Sequence, residues 1–197
     1  MNIAVAISTS DMDIIVTYRR TRRLSMRIAK NGDVRVSVPI GMPKREVKAF
    51  IEKNSEWIAS ASQKTIELQR QRTAFYNQMQ LDTPAKRRDA AEHLYAFVTP
   101  LLQRYAAEMG VHPTAISFRC STSRWGSCNH RTGRISFSLY LLLLPDWCIE
   151  HIVVHELAHL LVPNHSPAFY EVMDRYFPRW REARSETRRL CLNANEE

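Results

Sequence analysis

Residues 151–165 read His-Ile-Val-Val-His-Glu-Leu-Ala-His-Leu-Leu-Val-Pro-Asn-His, and this stretch decides the fold that we expect. His155 and His159 are four residues apart, so a helix places both imidazoles on one face, one turn apart. Apolar residues fill most of the other positions, which predicts that the helix is largely buried. Two imidazoles at this spacing form a clamp for a metal ion.

A catalytic zinc ion usually has three protein ligands and leaves a fourth position for water, so a third ligand is needed. We expect His165 to supply it. Pro163 ends the helix four residues after His159, and Ser166 caps a following helix, so the chain turns back between them. The sequence therefore predicts one zinc ion per chain, held by His155, His159 and His165.

Glu156 follows His155 in the sequence but lies about 100° further around the helix, so its carboxylate is beside the metal rather than on it. From there it can accept a proton from a zinc-bound water, whose pKa the metal lowers to about 7. These residues predict a zinc-dependent hydrolase in which Glu156 is the catalytic base. We leave His151 out of the ligand set, because pairing it with His155 would ignore His159 and His165.

The segments around this stretch predict a mixture of helices and strands. We expect three C-terminal helices, over residues 145–162, 166–177 and 178–191. Thr83 is typical of a helix start and Gly110 of the end of the same helix. Alternating apolar and polar residues predict two short strands, 114–118 and 134–138, joined by a polar loop.

The N-terminal region predicts a β meander over residues 13–38, in which Asn31-Gly32 is typical of a hairpin turn. From Pro43 to about Ala61, apolar residues recur every three or four positions, which predicts a long helix. The weakly periodic segment 69–80 is the expected end of that helix or a linker.

Positive charge is concentrated in the N-terminal part. The chain has a net charge of +8, and residues 1–80 carry 14 Lys and Arg against 7 Asp and Glu. The densest cluster contains Arg19, Arg20, Arg22 and Arg23, followed by Arg27 and Lys30. Such a cluster can neutralise the phosphates of a nucleic acid, or it can be a solvated strand face that favours solubility. The sequence leaves both interpretations open.

Targeting segments are not expected. Residues 1–10 lack a basic leading stretch, and the apolar run 139–144 is stopped by Pro145, so neither a signal peptide nor a membrane span fits. The four cysteines contain no CxxC pair, which favours reduced thiols. We therefore expect a cytoplasmic protein.

A second motif, Arg-Trp-Gly-Ser-Cys at residues 124–128, precedes the His-Glu-Leu-Ala-His motif, with a strand and a leucine-rich segment between them. Together with the Asn-His-Ser at 164–166 and the aromatic pair Phe169 and Tyr170, this pattern resembles the YgjP-like metal-dependent hydrolases. These are relatives of the SprT-like and WLM zinc peptidases. The resemblance covers nearly the whole chain, and the two motifs together are far more specific than either alone.

The resemblance implies an α+β fold: a zincin-like minimal metallopeptidase domain with a β-rich N-terminal region and a long connecting helix. Residues 1–80 would hold the basic β meander and the long helix, and residues 81–197 the zincin-like catalytic domain, as one continuous family domain. The family's three histidine ligands and its glutamate base carry over to His155, His159, His165 and Glu156.

Three residues are candidates for substrate binding. Within the 124–128 motif, Arg124 could bind an anionic or carbonyl group. Trp125 could line the pocket, or it could lie in the core beside a tight turn at Gly126. Tyr170 is the third candidate, and with Arg124 and His130 it is also a candidate for stabilising an oxyanion.

Hydrolysis is specified more firmly than the bond that is hydrolysed. The leading hypothesis is a metallopeptidase-type enzyme acting on a peptide or protein. The resemblance also brings a nucleotide pyrophosphohydrolase activity on UTP, although the sequence has no paired acidic cluster of the kind that holds magnesium and a triphosphate. A nucleic-acid-associated protease or binding module is the third hypothesis, and the oligomeric state stays open.

Overall fold

The computed structural model describes residues 4–9 and 12–191, and it divides after Gln71 into two compact units. Residues 1–3, 10, 11 and 192–197 of the proposed domains lie outside the described part. The described residues form two small sheets and six α-helices, which confirms the predicted α+β class. The proposed domains, 1–80 and 81–197, stay a prediction.

The sheet of the first unit has four strands in the order β1-β2-β4-β3. The strands are β1 (Ala4–Thr9), β2 (Met12–Arg19), β3 (Ser25–Ile28) and β4 (Val34–Pro39). The predicted hairpin between β3 and β4 is present and antiparallel. The meander is wrong, however, because β4 lies between β2 and β3 and runs parallel to β2. This position places β4 in the interior of the sheet, where Val34, Val36 and Val38 are buried.

Two helices follow this sheet, α1 (Lys44–Lys53) and α2 (Ser55–Asn77), where the sequence predicted one. The break is at Asn54, whose side-chain amide donates a hydrogen bond of 2.7 Å to the carbonyl of Phe50. Val47 and Ile58 belong to the same buried cluster as the valines of β4, so both helices contribute to the core of the first unit. Helix α2 ends inside the segment 69–80 that was expected to hold the helix end.

The second unit begins with the last turns of α2 and continues into α3 (Pro84–Met109), whose predicted ends are both confirmed. The hydroxyl of Thr83 accepts a hydrogen bond of 3.2 Å from the backbone N–H of Lys86. At the other end Gly110 has φ of 67°, the left-handed conformation that ends many helices and favours glycine.

A three-stranded sheet follows α3, in the order β5-β7-β6. Its strands are β5 (Ala115–Arg119), β6 (Gly126–Asn129) and β7 (Arg134–Ser138). The strands β5 and β7 were predicted, but β6 was expected to be loop. It pairs with β7 in antiparallel register and forms an edge of the sheet.

The remaining elements are helical. A 3-10 turn at Leu139–Leu143 is followed by α4 (Asp146–Leu161), α5 (Pro167–Tyr176) and α6 (Trp180–Cys191). Helix α4 packs against α3, α5, α6 and β6. Val153, Val154, Leu157 and Ala158 are fully buried, which confirms the prediction that this helix is enclosed. Within the described residues, no helix is both long and apolar enough to cross a membrane.

Candidate metal centre

The structure brings His155, His159 and His165 together. Helix α4 presents the first two, and the loop between α4 and α5 delivers the third. One ring nitrogen from each of the three lies within 4.8 Å of the others, and the Nε2 atoms of His155 and His165 are 3.1 Å apart. Inside the loop, the side-chain oxygen of Asn164 accepts a hydrogen bond of 3.3 Å from the backbone N–H of Ser166.

The protonation of these imidazoles suits a metal ion. Burial holds the pKa of His155 well below its usual value, and burial also lowers the pKa of His159. Both rings are therefore neutral at pH 7. The Nδ1 atom of His159 lies 3.3 Å from the carbonyl of Val162, so an N–H there would leave the lone pair on Nε2. The three imidazoles lie on one side of an open cleft, an arrangement that matches the ligand set of a catalytic zinc.

Glu156 is 5% exposed and projects from α4 toward β6, where it meets Gly126. A Cβ atom added at Gly126 would lie 2.6 Å from Cγ of Glu156 and 2.7 Å from its Cδ. Real Cβ atoms do not approach so closely, so a side chain at position 126 would have to displace the carboxylate. The two sequence motifs are therefore in direct contact through this pair of residues.

Phe169 forms the floor under the three histidines. Its ring is fully buried on α5, and its centroid is 4.9 Å from that of His155, 4.7 Å from His159 and 4.8 Å from His165. In the sequence, Phe169 stands out only as half of an aromatic pair, so its place under the histidines was not predicted. The available signal was its position four residues after His165 and just inside a helix that begins with Pro167.

His151 lies one turn before His155 on α4 and outside the group of three nitrogens. It is 1% exposed, its ring centroid is 5.9 Å from that of His155, and its Nδ1 has no hydrogen-bond partner among the described residues. Burial lowers its pKa to about 4, and the nearby charge of Arg184 adds to the effect. A neutral His151 therefore packs behind the site.

The three histidines and Glu156 open into a cavity of about 480 Å³, which we call the cleft. Residues 123–128 form one wall. Arg124 is exposed there, whereas Trp125 is 4% exposed and packs against Phe75, at a centroid distance of 6.3 Å. Trp125 therefore lines the cleft and also belongs to the core, so both locations considered from the sequence apply to it.

The other candidates differ in their relation to the cleft. Tyr170 is not among its lining residues, and it stacks on Trp180 at a centroid distance of 4.9 Å. His130 is exposed, and its charge is one of the weaker causes that lower the pKa of His159. Cys128 does line the cleft, but burial and the neighbouring Glu156 raise the pKa of its thiol to about 11. A thiol that stays protonated is a poor nucleophile.

The sequence model of one family, described as YgjP-like, metallopeptidase domain, matches residues 22–82 and 76–190. Among solved structures, the metallopeptidase zymogen abylysin of Pyrococcus abyssi is 24% identical with a TM-score of 0.43, over 47% of this chain and 92% of that one. The metallopeptidase zymogen jannalysin of Methanocaldococcus jannaschii is 16% identical with a TM-score of 0.38, over 48% of this chain and 90% of that one. No curated protein is significantly similar in sequence.

The contact between Gly126 and Glu156 predicts the effect of Gly126→Ala. The added methyl group displaces the carboxylate but leaves the three histidines in place. We expect a Glu156-dependent activity to fall by a factor of ten or more, since displacements of about 1 Å can cost a hundredfold. Metal content, measured by atomic emission, should stay at the wild-type level. Full activity in a folded Gly126→Ala protein would show that the carboxylate does not need this space.

The floor under the histidines predicts the effect of Phe169→Ala. The change leaves a cavity beneath all three rings, so we expect weaker zinc binding in a chelator competition and a loss of about 3–5 kcal/mol in the free energy of unfolding. Leu94→Ala is the matched control, because Leu94 is fully buried on α3 and is not among the residues that line the cleft. Equal zinc affinity in the two variants would contradict a specific role of the floor.

Proposed function

Because the chain belongs to the YgjP-like metallopeptidase-domain family, we propose that it is a zinc-dependent hydrolase of the peptidase type. The α+β, zincin-like fold of this family is the fold that the resemblance implied. His155, His159 and His165 would hold one zinc ion per chain, and Glu156 would be the catalytic base. The observation that supports this most is three imidazole nitrogens within 4.8 Å of one another beside a buried carboxylate. When bound, zinc supplies a Lewis acid that polarises a carbonyl and lowers the pKa of water.

The proposed chemistry of Glu156 follows from its surroundings. Its carboxylate lines the cleft together with the histidines, so an attacking water that enters the cleft is within its reach. It accepts a proton from that water at a carboxylate oxygen and then delivers the proton to the leaving amine. Burial strengthens the electrostatic effect of the carboxylate, because little solvent screens it.

The lining of the cleft favours a peptide over a nucleoside triphosphate. Among its described lining residues, Glu156 is the only carboxylate. Triphosphate-hydrolysing sites usually hold magnesium through additional carboxylates, and such a set is not present in this lining. The cleft is also large enough, at about 480 Å³, for the residues on either side of a scissile peptide bond.

The metal and the base can be tested separately. We expect purified protein to contain one zinc ion per chain, His159→Ala to lose it, and Glu156→Gln to retain it. Hydrolysis by the zinc-loaded Glu156→Gln protein should fall by about a hundredfold or more, the usual effect of removing a general base. The measurements are metal analysis, circular dichroism as a control for folding, and turnover on a substrate panel.

The substrate panel should contain denatured proteins, short peptides and nucleoside triphosphates including UTP. Glu156-dependent cleavage of peptides supports the proposal. Glu156-dependent cleavage of UTP alone would replace it with the pyrophosphohydrolase alternative. A folded wild-type protein that binds no zinc would contradict both the peptidase proposal and the pyrophosphohydrolase alternative.

We further propose that the sheet of the first unit binds nucleic acid, because exposed arginines lie on three of its strands and in the loop after β2. Arg27 of β3 lies directly opposite Arg35 of β4, and both side chains are exposed. Arg19, the last residue of β2, is also exposed, as are Arg20, Arg22 and Arg23 of the loop that follows it. No described acidic residue forms an ion pair with any of these six side chains. Unpaired guanidinium groups in one array can bind successive phosphates.

The double change Arg27→Gln and Arg35→Gln tests this surface. If both arginines contact phosphates, the slope of log K against log salt concentration should become shallower by about 1.8 for a DNA duplex, or about 1.4 for a single strand. The matched control is Arg45→Gln with Lys48→Gln, which removes the same charge from exposed positions on α1. An equal change of slope in both variants would indicate only a general effect of net charge.

A further inference from the structure

A second cavity, of about 320 Å³, adjoins the cleft. Ser123, Arg124, Gly126 and Ser127 line both cavities, so the edge strand β6 and the segment before it form their common wall. The second cavity then extends over the outer face of the small sheet, where it also reaches Arg119 on β5.

The outer face of this sheet is lined with hydroxyl groups. Ser127 of β6 is directly opposite Ser136 of β7, and Arg119 of β5 is opposite Ser138 in the same sheet. The hydroxyl of Ser138 is engaged, since it donates a hydrogen bond of 2.6 Å to the carbonyl of Ser121. Ser127 and Ser136 keep hydroxyl groups that can donate to a ligand.

The charge of this cavity is positive. Two guanidinium groups, those of Arg119 and Arg124, line it, and no carboxylate does so among the described residues. Within the described structure, neither side chain forms an ion pair or a hydrogen bond with the protein. Several other arginines of the second unit, though not all, are paired with carboxylates: Arg104 with Glu150, Arg179 with Glu182, Arg181 with Asp174 and Arg189 with Glu186.

The segment that carries Arg124 is held by a buried residue. The guanidinium of Arg72, which is 9% exposed, donates a hydrogen bond to the backbone carbonyl of Thr122, two residues before Arg124. Arg72 also lies over the ring of Tyr76, at 5.6 Å from its centroid. The backbone of the wall is thereby fixed to the core, while the side chain of Arg124 stays exposed to the cavity.

We infer that this cavity binds an acidic group of the peptide substrate, an Asp or Glu side chain or a terminal carboxylate, between Arg119 and Arg124. A carboxylate accepts charge-assisted hydrogen bonds from planar guanidinium groups, with the serine hydroxyls as further donors. The protein then prefers peptides that carry an acidic residue or a terminal carboxylate near the scissile bond. This inference rests on the proposed peptidase function.

The test is a peptide library, digested by zinc-loaded protein with the Glu156→Gln protein as blank. We expect wild type to prefer Asp or Glu at one position, and replacing that residue by Gln in a single peptide to lower kcat/KM by about tenfold to a hundredfold. In Arg119→Gln and Arg124→Gln, the ratio of the rate on the acidic peptide to the rate on the neutral peptide should fall toward one. Arg131→Gln, an exposed arginine outside both cavities, should behave as wild type.

A binding measurement separates the acidic-site proposal from the proposed peptidase function. Fluorescence anisotropy with the Glu156→Gln protein should show tighter binding of the acidic peptide than of its neutral analogue, and the difference should disappear in Glu156→Gln combined with Arg119→Gln. Cleavage without a preference for acidic residues, or a preference that both arginine variants retain, overturns the acidic site alone. Arginine-dependent binding without any cleavage supports the acidic site and overturns the peptidase function. Neither binding nor cleavage of any peptide overturns both.

Discussion

The second unit depends on one constraint, the burial of α4. This helix is packed on nearly all sides, yet it must present two imidazoles and a carboxylate to a single opening. Unpartnered polar groups in such a place are costly, so the surrounding elements are arranged to leave that one side accessible. The sheet, α3, α5 and α6 each cover part of the helix, and the cleft is the gap that remains along β6.

The two sequence motifs form one site, although Gly126 and Glu156 are 30 residues apart in the sequence. The glycine needs no unusual backbone conformation here, since its φ is not in the left-handed region. Its value is the absence of a side chain, which lets the strand and the carboxylate occupy adjacent space. The tryptophan beside it packs into the core, and the arginine before that faces the cavities, so consecutive residues of the motif have distinct places.

Local signals were sufficient where a single element determines the outcome. Thr83 predicts the start of α3, and Gly110 predicts its end. The spacing of His155 and His159 predicts that they share one helix face. None of these predictions needs information from distant residues. The strand β6 could not be found in this way, because Gly-Ser-Cys-Asn has no apolar alternation and becomes a strand only by pairing with β7. The parallel pairing of β2 with β4 is equally non-local, since alternation shows which side of a strand is buried but not which strand lies beside it.

The place of Phe169 has a consequence for the order in which the site is completed. During synthesis, the residues through α4 emerge first and carry only two of the three imidazoles. The third imidazole and its aromatic support come with the next ten or so residues, and both need α5 to be docked against α4. A nascent chain that has made only α4 therefore lacks one of the three proposed metal ligands, so the proposed activity would arise only after α5 has docked against α4.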